Sequence, residues 1–432
     1  MSSRIRSVDA WQILDSRGNP TLEVEIGLES GVVGSFQVPS GASTGRHEAV
    51  ELRDGAGGRY RGKSVLRAVE NVRTEIAAAL IGLPADDQAL VDRTLIELDG
   101  TAQKARLGAN ATLGASGAVA RAAARQTGVP LWRYLAGDRP AALPVPMVNI
   151  LSGGLHAGRQ IEFQDFLAVP HGFFSFAEAI EAIALTHRAM GELLGEQGFE
   201  LTGVADEGGF GPRLQSNRQA LDLLLTAIER AGFEPGEQIS VAIDVASSHF
   251  HRDGGYDLRS ENRWLSEDEM IDLLAEWTGR APVLSIEDGL AEDAWDGWRK
   301  LTDRLGDRCR LIGDDFFVTN PERLERGIEA GAGNAVLVKM NQIGTLTETF
   351  RVIDRAREAG FTAVISARSG ETEDDFLADL AVASGAGQIK VGSVTRSERL
   401  SKYNRLLALE ARTARTGEGP GNFEVSRRLM LG

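Results

Sequence analysis

Six short apolar segments in the second half of the chain alternate with sequences of helical periodicity. The segments are ISVAIDVASS, PVLSIEDG, RLIGDDF, AVLVKMN, TAVISARSG and QIKVGS. Such alternation is typical of a parallel sheet covered by helices. Two earlier candidates, FQDFLAVP and the approach to VADEGGF, raise the count to about eight, the number that closes a TIM barrel. A doubly wound open sheet is the alternative, but no glycine-rich phosphate turn follows a first strand.

Each of the six segments carries a charged residue at or just after its end, with three acids followed by three bases. In order they are Asp244, Glu287, Asp314, Lys339, Arg368 and Lys390. The carboxyl ends of barrel strands meet at one face, so these side chains are expected to converge on one site. Three carboxylates suit Mg²⁺, and the bases suit a proton acceptor, a carboxylate partner and a phosphate clamp. The alternative is that each is an ordinary solvent-facing charge.

The first part of the chain has a different pattern. TLEVEIGLES and GVVGSFQVP alternate apolar and polar residues and predict antiparallel strands, and the sequence is helical from Lys63 to about Gly137. The proline-rich LPVPM segment then suggests a boundary. We therefore predict an N-terminal α+β domain over residues 1–138 and a C-terminal (β/α)8 barrel over residues 139–432.

Three loops carry further polar groups: VADEGGF with Glu207, SGGLHAG with His156, and the segment 38–54 with Ser43. The last is polar and glycine-containing, as a lid over a site would be, and the Ser43 hydroxyl could reach a metal or a phosphate. Taken alone, each loop fits a plain solvated loop equally well.

Charge and composition exclude some classes of function. The 62 acidic and 47 basic residues give a formal charge of −15 without a basic stripe, which argues against nucleic-acid binding. The single cysteine, Cys309, fits a reducing compartment. No signal peptide or 18-residue apolar run is found, so we predict a soluble cytoplasmic protein without membrane contact.

The chain resembles the enolase family over nearly its whole length. The matching segments, in family order, include DSRGNPT, VPSGASTG, GANATLG, LPVPMVNIL, DEGGF, SIEDG, GDDFFVTNP, VKMNQIGTLTET, RSGETED and QIKVGS. The resemblance implies an enolase-type TIM barrel behind an α+β domain, and a homodimer or a ring of dimers. It also implies a small phosphorylated or phosphonylated 2-hydroxy acid as substrate.

The resemblance further implies two Mg²⁺ ions per active site. Asp244, Glu287 and Asp314 would hold the first, and Ser43 would help to hold the second. Lys339 would be the base that takes the C2 proton of the substrate. Because cations surround it, we expect a lowered pKa for this lysine.

Other pocket positions are also carried over from the family. Glu207 would assist departure of the C3 hydroxyl, with His156 and Asp165 beside it as further catalytic positions. The remaining positions would bind the substrate, with Lys390 at its carboxylate and Arg368 and Ser369 at its phosphate; the others are Gln164 and Ala42.

The chain departs from the family pattern at two pocket positions. It reads SARSGET where the family reads SHRSGET, and QDF where the family reads QEF, so Ala367 replaces a histidine and Asp165 a glutamate. Gly289 and His249 also differ, and we interpret both as drift. Losing one positioned acid–base group typically costs ~10²–10⁴ in rate.

Three functions are therefore considered. The first is dehydration of 2-phosphoglycerate to phosphoenolpyruvate. The second is the same elimination on a bulkier analogue, as in enolase-like carboxyphosphonoenolpyruvate synthases of phosphonate biosynthesis, because Ala367 supplies room. The third is a non-catalytic binding or scaffold role, against which the retained Lys339, Glu207, Lys390 and metal carboxylates argue.

Overall fold

The computed structural model describes residues 2–41, 46–424 and 426–427. The N-terminal part begins with a three-stranded antiparallel sheet in the order β1-β2-β3. Its strands are β1 (Ile5–Leu14), β2 (Pro20–Leu28) and β3 (Val33–Gln37). Leu22, Val24 and Ile26 of β2 are fully buried. The predicted alternating strands are thus confirmed.

Helices follow this sheet, as the sequence predicts. They are α1 (Leu66–Asn71), a π-helical turn (Val72–Ile76), α2 (Ala77–Leu80), α3 (Gln88–Asp99), α4 (Ala109–Thr127) and α5 (Leu131–Ala136). The alanine-rich α4 packs directly on β2 and β3. Its small residues allow a close approach: a Cβ on Gly117 would meet the ring of Phe36, and one on Gly34 would overlap the backbone of Ala118 and Ala122.

The C-terminal part contains a closed eight-stranded barrel. Its strands are β4 (Val145–Ser152), β5 (Asp165–Val169), β6 (Ser240–Asp244), β10 (Val283–Glu287), β11 (Arg310–Gly313), β12 (Ala335–Val338), β13 (Thr362–Ser366) and β14 (Gln388–Gly392). Three short strands form a separate antiparallel sheet after β6: β7 (His251–Arg252), β8 (Gly255–Leu258) and β9 (Arg263–Leu265). The predicted barrel is confirmed, and the open-sheet alternative is wrong.

Eight helices surround the barrel among the described residues. They are α6 (Phe176–Glu196), α7 (Asn217–Arg230), α8 (Glu267–Arg280), α9 (Trp295–Leu305), α10 (Pro321–Ala330), α11 (Leu346–Glu358), α12 (Phe376–Ser384) and α13 (Ser397–Thr416). Serine begins two of them through capping boxes, Ser175 with Glu178 and Ser266 with Glu269. None of the described helices is both long and apolar enough to cross a membrane.

Two details of the strand prediction are wrong. The approach to VADEGGF is not a strand; the eighth strand is β4, which begins within the proline-rich segment that we interpreted as a boundary. The sheet is also not entirely parallel, because β5 pairs antiparallel with both β4 and β6. The connection between β4 and β5, residues 153–164, contains one 3-10 turn (Gly154–Ala157) and no α-helix of the kind that usually carries the chain back between parallel neighbours.

The N-terminal part contacts the rim of the barrel at the carboxyl ends of its strands. Ser40 and Gly370 exchange backbone hydrogen bonds of 2.7 and 3.0 Å, and Ser16 N–H donates to the carbonyl of Glu371 at 2.7 Å. Ala49 N–H donates to the carbonyl of Gln342 at 2.8 Å. These contacts place the segment that follows β3 beside the carboxyl ends of β12 and β13.

Candidate active site

The six charged residues predicted from the strand ends lie together. Asp244 and Glu287 end β6 and β10, Asp314 and Lys339 directly follow β11 and β12, and Lys390 lies within β14. Arg368 lies two residues beyond β13. Five of the six line one cavity, and Glu287 lies directly behind it, in contact with Lys390.

Lys390 joins the first two carboxylates. Its Nζ lies 2.9 Å from Oδ2 of Asp244 and 2.7 Å from Oε2 of Glu287, and all three side chains are nearly fully buried. The strand register explains this contact, because Glu287 lies directly opposite Asp244. Burial would lower the pKa of Lys390, but Asp244 and Glu287 hold it well above its usual value. Lys390 is therefore a permanent cation here.

Lys339 pairs with Asp314, and Gln342 Nε2 donates to the other oxygen of that carboxylate at 3.1 Å. Burial would raise the pKa of Asp314, but Lys339 lowers it. Burial would likewise lower the pKa of Lys339, but Asp314 raises it. The expected lowering of the lysine pKa is thus wrong for this arrangement, because the adjacent carboxylate outweighs burial and the cations Arg368 and Lys390.

Asp288 fixes the turn that carries Asp314, and the sequence analysis missed it. Its two carboxylate oxygens accept the backbone N–H groups of Asp314 at 3.0 Å and Asp315 at 2.7 Å. Its own backbone is left-handed, with φ of 44°. Burial holds the pKa of Asp288 well above its usual range and raises that of Asp315 to about 7. The sequence did contain a signal for Asp288, because this residue directly follows Glu287.

The donor set at these strand ends fits a hard divalent cation. Asp244, Glu287 and Asp314 offer carboxylate oxygens from three adjacent strands, which is the ligand chemistry that Mg²⁺ prefers. In this arrangement Lys390 pairs with Asp244 and Glu287, and Lys339 pairs with Asp314, whereas potential ligand oxygens of Asp288, Asp314 and Asp315 lie within 4.8 Å of one another. Carboxylates this deeply buried require positive charge nearby, and the lysines provide part of it.

A second cluster contains His156, Asp165 and Glu207, whose potential ligand atoms also lie within 4.8 Å of one another. His156 Nδ1 lies 2.9 Å from Oδ2 of Asp165, and its Nε2 lies 3.8 Å from Oε1 of Glu207. Oδ1 of Asp165 accepts from Asn149 Nδ2 at 2.5 Å and from Ser152 Oγ at 2.9 Å. Asp165 is therefore held on both oxygens.

The groups of this cluster carry charges of opposite sign, and each group shifts the pKa of its neighbours. Burial would lower the pKa of His156, but Asp165 and Glu207 raise it to about 9. Burial would raise the pKa of Glu207, but His156, Arg399 and Lys390 lower it. Burial raises the pKa of Asp165, yet the donors around it suit an ionised carboxylate. At neutral pH the imidazole is thus an imidazolium beside two carboxylates.

The expected phosphate side is built by residues of both domains. Arg368 Nη1 lies 3.1 Å from Oε2 of Glu48 and 2.9 Å from Oδ1 of Asn341. Arg17 Nη1 donates to Ser369 Oγ at 3.2 Å. The sequence analysis missed Glu48, Asn341 and Arg17, because only the folded chain brings them to the rim.

The C-terminal helix supports the same side. Arg399 of α13 is fully buried and donates to the carbonyls of Arg368 at 2.6 Å and Ser369 at 2.7 Å. In the same helix, Lys402 Nζ donates to the carbonyl of Thr372 at 2.6 Å. Both cations thereby hold in place the backbone segment that carries Arg368 and Ser369.

The other predicted positions are distributed as follows. Gln164 Nε2 donates to Oδ2 of Asp244 at 3.1 Å and lines the cavity. Ala367 and His249 also line it, so the His249 difference, which we interpreted as drift, concerns a residue of the cavity itself. Ala42 and Ser43 lie outside the described residues.

Fold and site define a class: barrel proteins with carboxylates and lysines gathered at the carboxyl ends of the strands, a donor set that suits a divalent cation. The family models "Enolase, N-terminal domain" and "Enolase, C-terminal TIM barrel domain" match residues 5–135 and 140–426. A protein named Enolase from Rubrobacter xylanophilus is 54% identical over 430 residues, covering 100% of both chains. The chain belongs to the enolase family and is a Mg²⁺-dependent hydro-lyase of that type.

Proposed function

We propose that the chain removes water from 2-phosphoglycerate, or a close analogue, to give an enolpyruvate. The observation that carries this proposal is one cavity lined by Lys339, Glu207, Lys390 and Arg368 beside the three metal carboxylates. A base, a group for the leaving hydroxyl, a carboxylate partner and a phosphate clamp are thereby brought together. Family membership speaks against a purely non-catalytic role.

The first step is removal of the C2 proton by Lys339 Nζ. The electron pair left on C2 is delocalised into the adjacent carboxylate, and Lys390, held cationic by its two carboxylate neighbours, stabilises that charge. Bound Mg²⁺ would add positive charge on Asp244, Glu287 and Asp314 and would offset the negative charge that raises the pKa of Lys339. Arg368 and Ser369 would hold the phosphate in place.

The second step breaks the bond between C3 and its hydroxyl. The electron pair on C2 forms the C2–C3 double bond, and the hydroxyl leaves as water after receiving a proton. Glu207 is ionised because nearby cations lower its pKa, so the proton store beside it is the imidazolium of His156, 3.8 Å away. We infer that His156 supplies the proton through Glu207.

The two steps are separable by isotope exchange. Lys339→Ala should stop exchange of the substrate C2 proton with solvent, because no other base is assigned to that carbon. Glu207→Gln should stop net elimination while exchange continues, because C2 deprotonation does not need this residue. Deuterium incorporation followed by NMR measures both. Unchanged exchange in the lysine variant would remove Lys339 as the base.

A second candidate substrate is the bulkier phosphonate-type analogue, which carries a carboxylate in place of a phosphate oxygen. The observation that favours it is Ala367, which lines the cavity directly before the Arg368–Ser369 pair. A methyl group at this position leaves more room beside the expected phosphate than an imidazole would.

Reverting both departures tests which substrate is preferred. Ala367→His with Asp165→Glu should raise kcat/KM for 2-phosphoglycerate and lower it for the analogue, because the imidazole refills the space. The single Ala367→His variant is the control, since Asp165 is fully enclosed and a longer side chain there must displace His156. Efficient 2-phosphoglycerate turnover by the wild type would defeat the altered-substrate idea.

Several finer expectations remain predictions. They are the domain boundary after residue 138, two Mg²⁺ ions per site, a cytoplasmic location without nucleic-acid or membrane partners, and a homodimer or ring of dimers. Metal titration, subcellular fractionation and light scattering would test them.

A further inference from the structure

A second cavity of about 250 Å³ lies beside the reaction cavity. We call it the arginine nook, because three arginines line it together with two carboxylates and the side chains of Gln160 and His249. The arginines are Arg159, Arg252 and Arg259, and the carboxylates are Glu162 and Asp257. Leu155 and His249 line both cavities, so the nook and the reaction cavity share one wall. No residue assigned above to proton transfer or metal binding lies in it.

The nook is held open by a link between its two walls. One wall is the loop that joins β4 to β5, and the other is the segment around β7 and β8. Glu162 of the loop accepts from the Ser260 backbone N–H at 2.9 Å and from Ser260 Oγ at 2.6 Å. The same carboxylate accepts from Asn217 Nδ2 at 2.9 Å. Both carboxylate oxygens of Glu162 therefore already accept hydrogen bonds.

Two of the three arginines, both of them solvent-exposed, have no carboxylate partner among the described residues. Arg259 Nε donates to Asp257 at 2.8 Å, whereas no carboxylate in residues 2–41, 46–424 or 426–427 pairs with Arg159 or Arg252. Arg159 also has a left-handed backbone with φ of 58°, which is uncommon for arginine and often marks functional sites.

Two buried polar atoms of the nook also lack hydrogen bonds within the described part of the chain. They are Oε1 of Gln160 and Nδ1 of His249. Buried polar atoms are normally satisfied, so the unpaired His249 Nδ1 beside the cavity points to a ligand with an acceptor atom, whereas the Gln160 oxygen can only accept and does not favour an anion. His249 can present N–H at Nδ1, which would complement an anion.

We propose that the arginine nook binds a dianionic group, a phosphate, phosphonate or carboxylate, on Arg159 and Arg252. Guanidinium groups suit such anions through charge-assisted hydrogen bonds. The anion has two possible sources: a second charged arm of the substrate, reaching past Leu155 and His249, or a free anion bound beside it. The first source rests on the proposed function, whereas the site itself does not.

Titration calorimetry with inorganic phosphate at constant ionic strength tests the site in the full-length Mg²⁺ protein. Arg368→Gln serves as background, because it removes the other expected phosphate contact. Adding Arg159→Gln and Arg252→Gln should weaken phosphate binding about tenfold per arginine. Arg259→Gln is the matched control and should change little, because that arginine is already paired with Asp257.

A second probe, 2,3-bisphosphoglycerate, separates the two sources. If the anion is an arm of the substrate, wild type should bind this compound more tightly than 2-phosphoglycerate, and the double arginine variant should lose that preference. If the anion is free, phosphate should bind alongside 2-phosphoglycerate and the bisphosphate should gain nothing. Phosphate binding that is equal in the double variant and its background overturns the site, whatever turnover of 2-phosphoglycerate shows.

Discussion

Replacing Asp165 by asparagine should lower the pKa of His156. The substitution keeps the side-chain volume and one acceptor for Asn149 and Ser152, but it removes the negative charge 2.9 Å from His156 Nδ1. Burial then disfavours the charged imidazolium more strongly, because Glu207, 3.8 Å away, is the one close carboxylate that remains to stabilise it. The neutral imidazole is favoured as a result.

The size of the shift follows from the contact that is lost. A hydrogen bond to a charged partner contributes roughly 1.5–3 kcal/mol, and one pKa unit corresponds to about 1.36 kcal/mol. The pKa of His156, about 9 in the wild type, should therefore fall to roughly 7–8. The variant would lose part of its imidazolium at physiological pH.

NMR titration of the imidazole resonances measures this directly, since the chain has only six histidines. His156→Gln identifies the resonance by its disappearance. Ser152→Ala is the matched control, because it removes a donor to Asp165 and keeps the charge, so the His156 pKa should move by much less.

A His156 pKa that stays near 9 in Asp165→Asn would refute the reasoning. It would mean that Glu207 and the more distant carboxylates, rather than Asp165, hold the imidazolium. In the expected case, hydroxyl departure should slow while C2 proton exchange continues, because only the second step draws on this proton.

Three further predictions concern the metal site, the fold and pH. Asp314→Asn should abolish turnover with an unchanged circular dichroism spectrum, as should excess chelator on the wild type; turnover in chelator would contradict the metal assignment. Gly34→Ala should cost about 1–3 kcal/mol of unfolding free energy because its Cβ overlaps α4, whereas Gly195→Ala, with open space around it, should not destabilise. Because the pKa of His156 is raised from 6.5 to about 9, the charged imidazolium stabilises the folded state. This stabilisation is complete below pH 6.5 and is lost as the pH rises through 9. Wild type should thus lose about 3 kcal/mol more than His156→Gln over that range in denaturant titrations.

The barrel was predictable because strand periodicity and strand-end charges are local signals. The strand β4 was missed because Pro144 and Pro146 resemble a linker, although Pro146 lies within the strand, opposite Ile389 of β14. The antiparallel direction of β5 was likewise hidden, since it depends on the connection between strands rather than on their composition.

The site was predictable to a similar extent. Residues at strand ends, such as Asp244 and Lys390, were found because topology brings them together. Glu48 and Arg17 were not, since they reach the rim only through contacts between the two domains. The pKa direction of Lys339 was wrong because a single hydrogen-bonded carboxylate outweighs two cations that lie further away.

The buried Arg399 has a consequence for synthesis of the protein. It is residue 399 of 432, yet its guanidinium holds the backbone that presents Arg368 and Ser369. A nascent chain that has completed every barrel strand still lacks α13. The phosphate side of the rim therefore gains this support only after α13 has been synthesised and has docked, and a chain truncated near residue 395 is expected to lack the hydrogen bonds that hold Arg368 and Ser369.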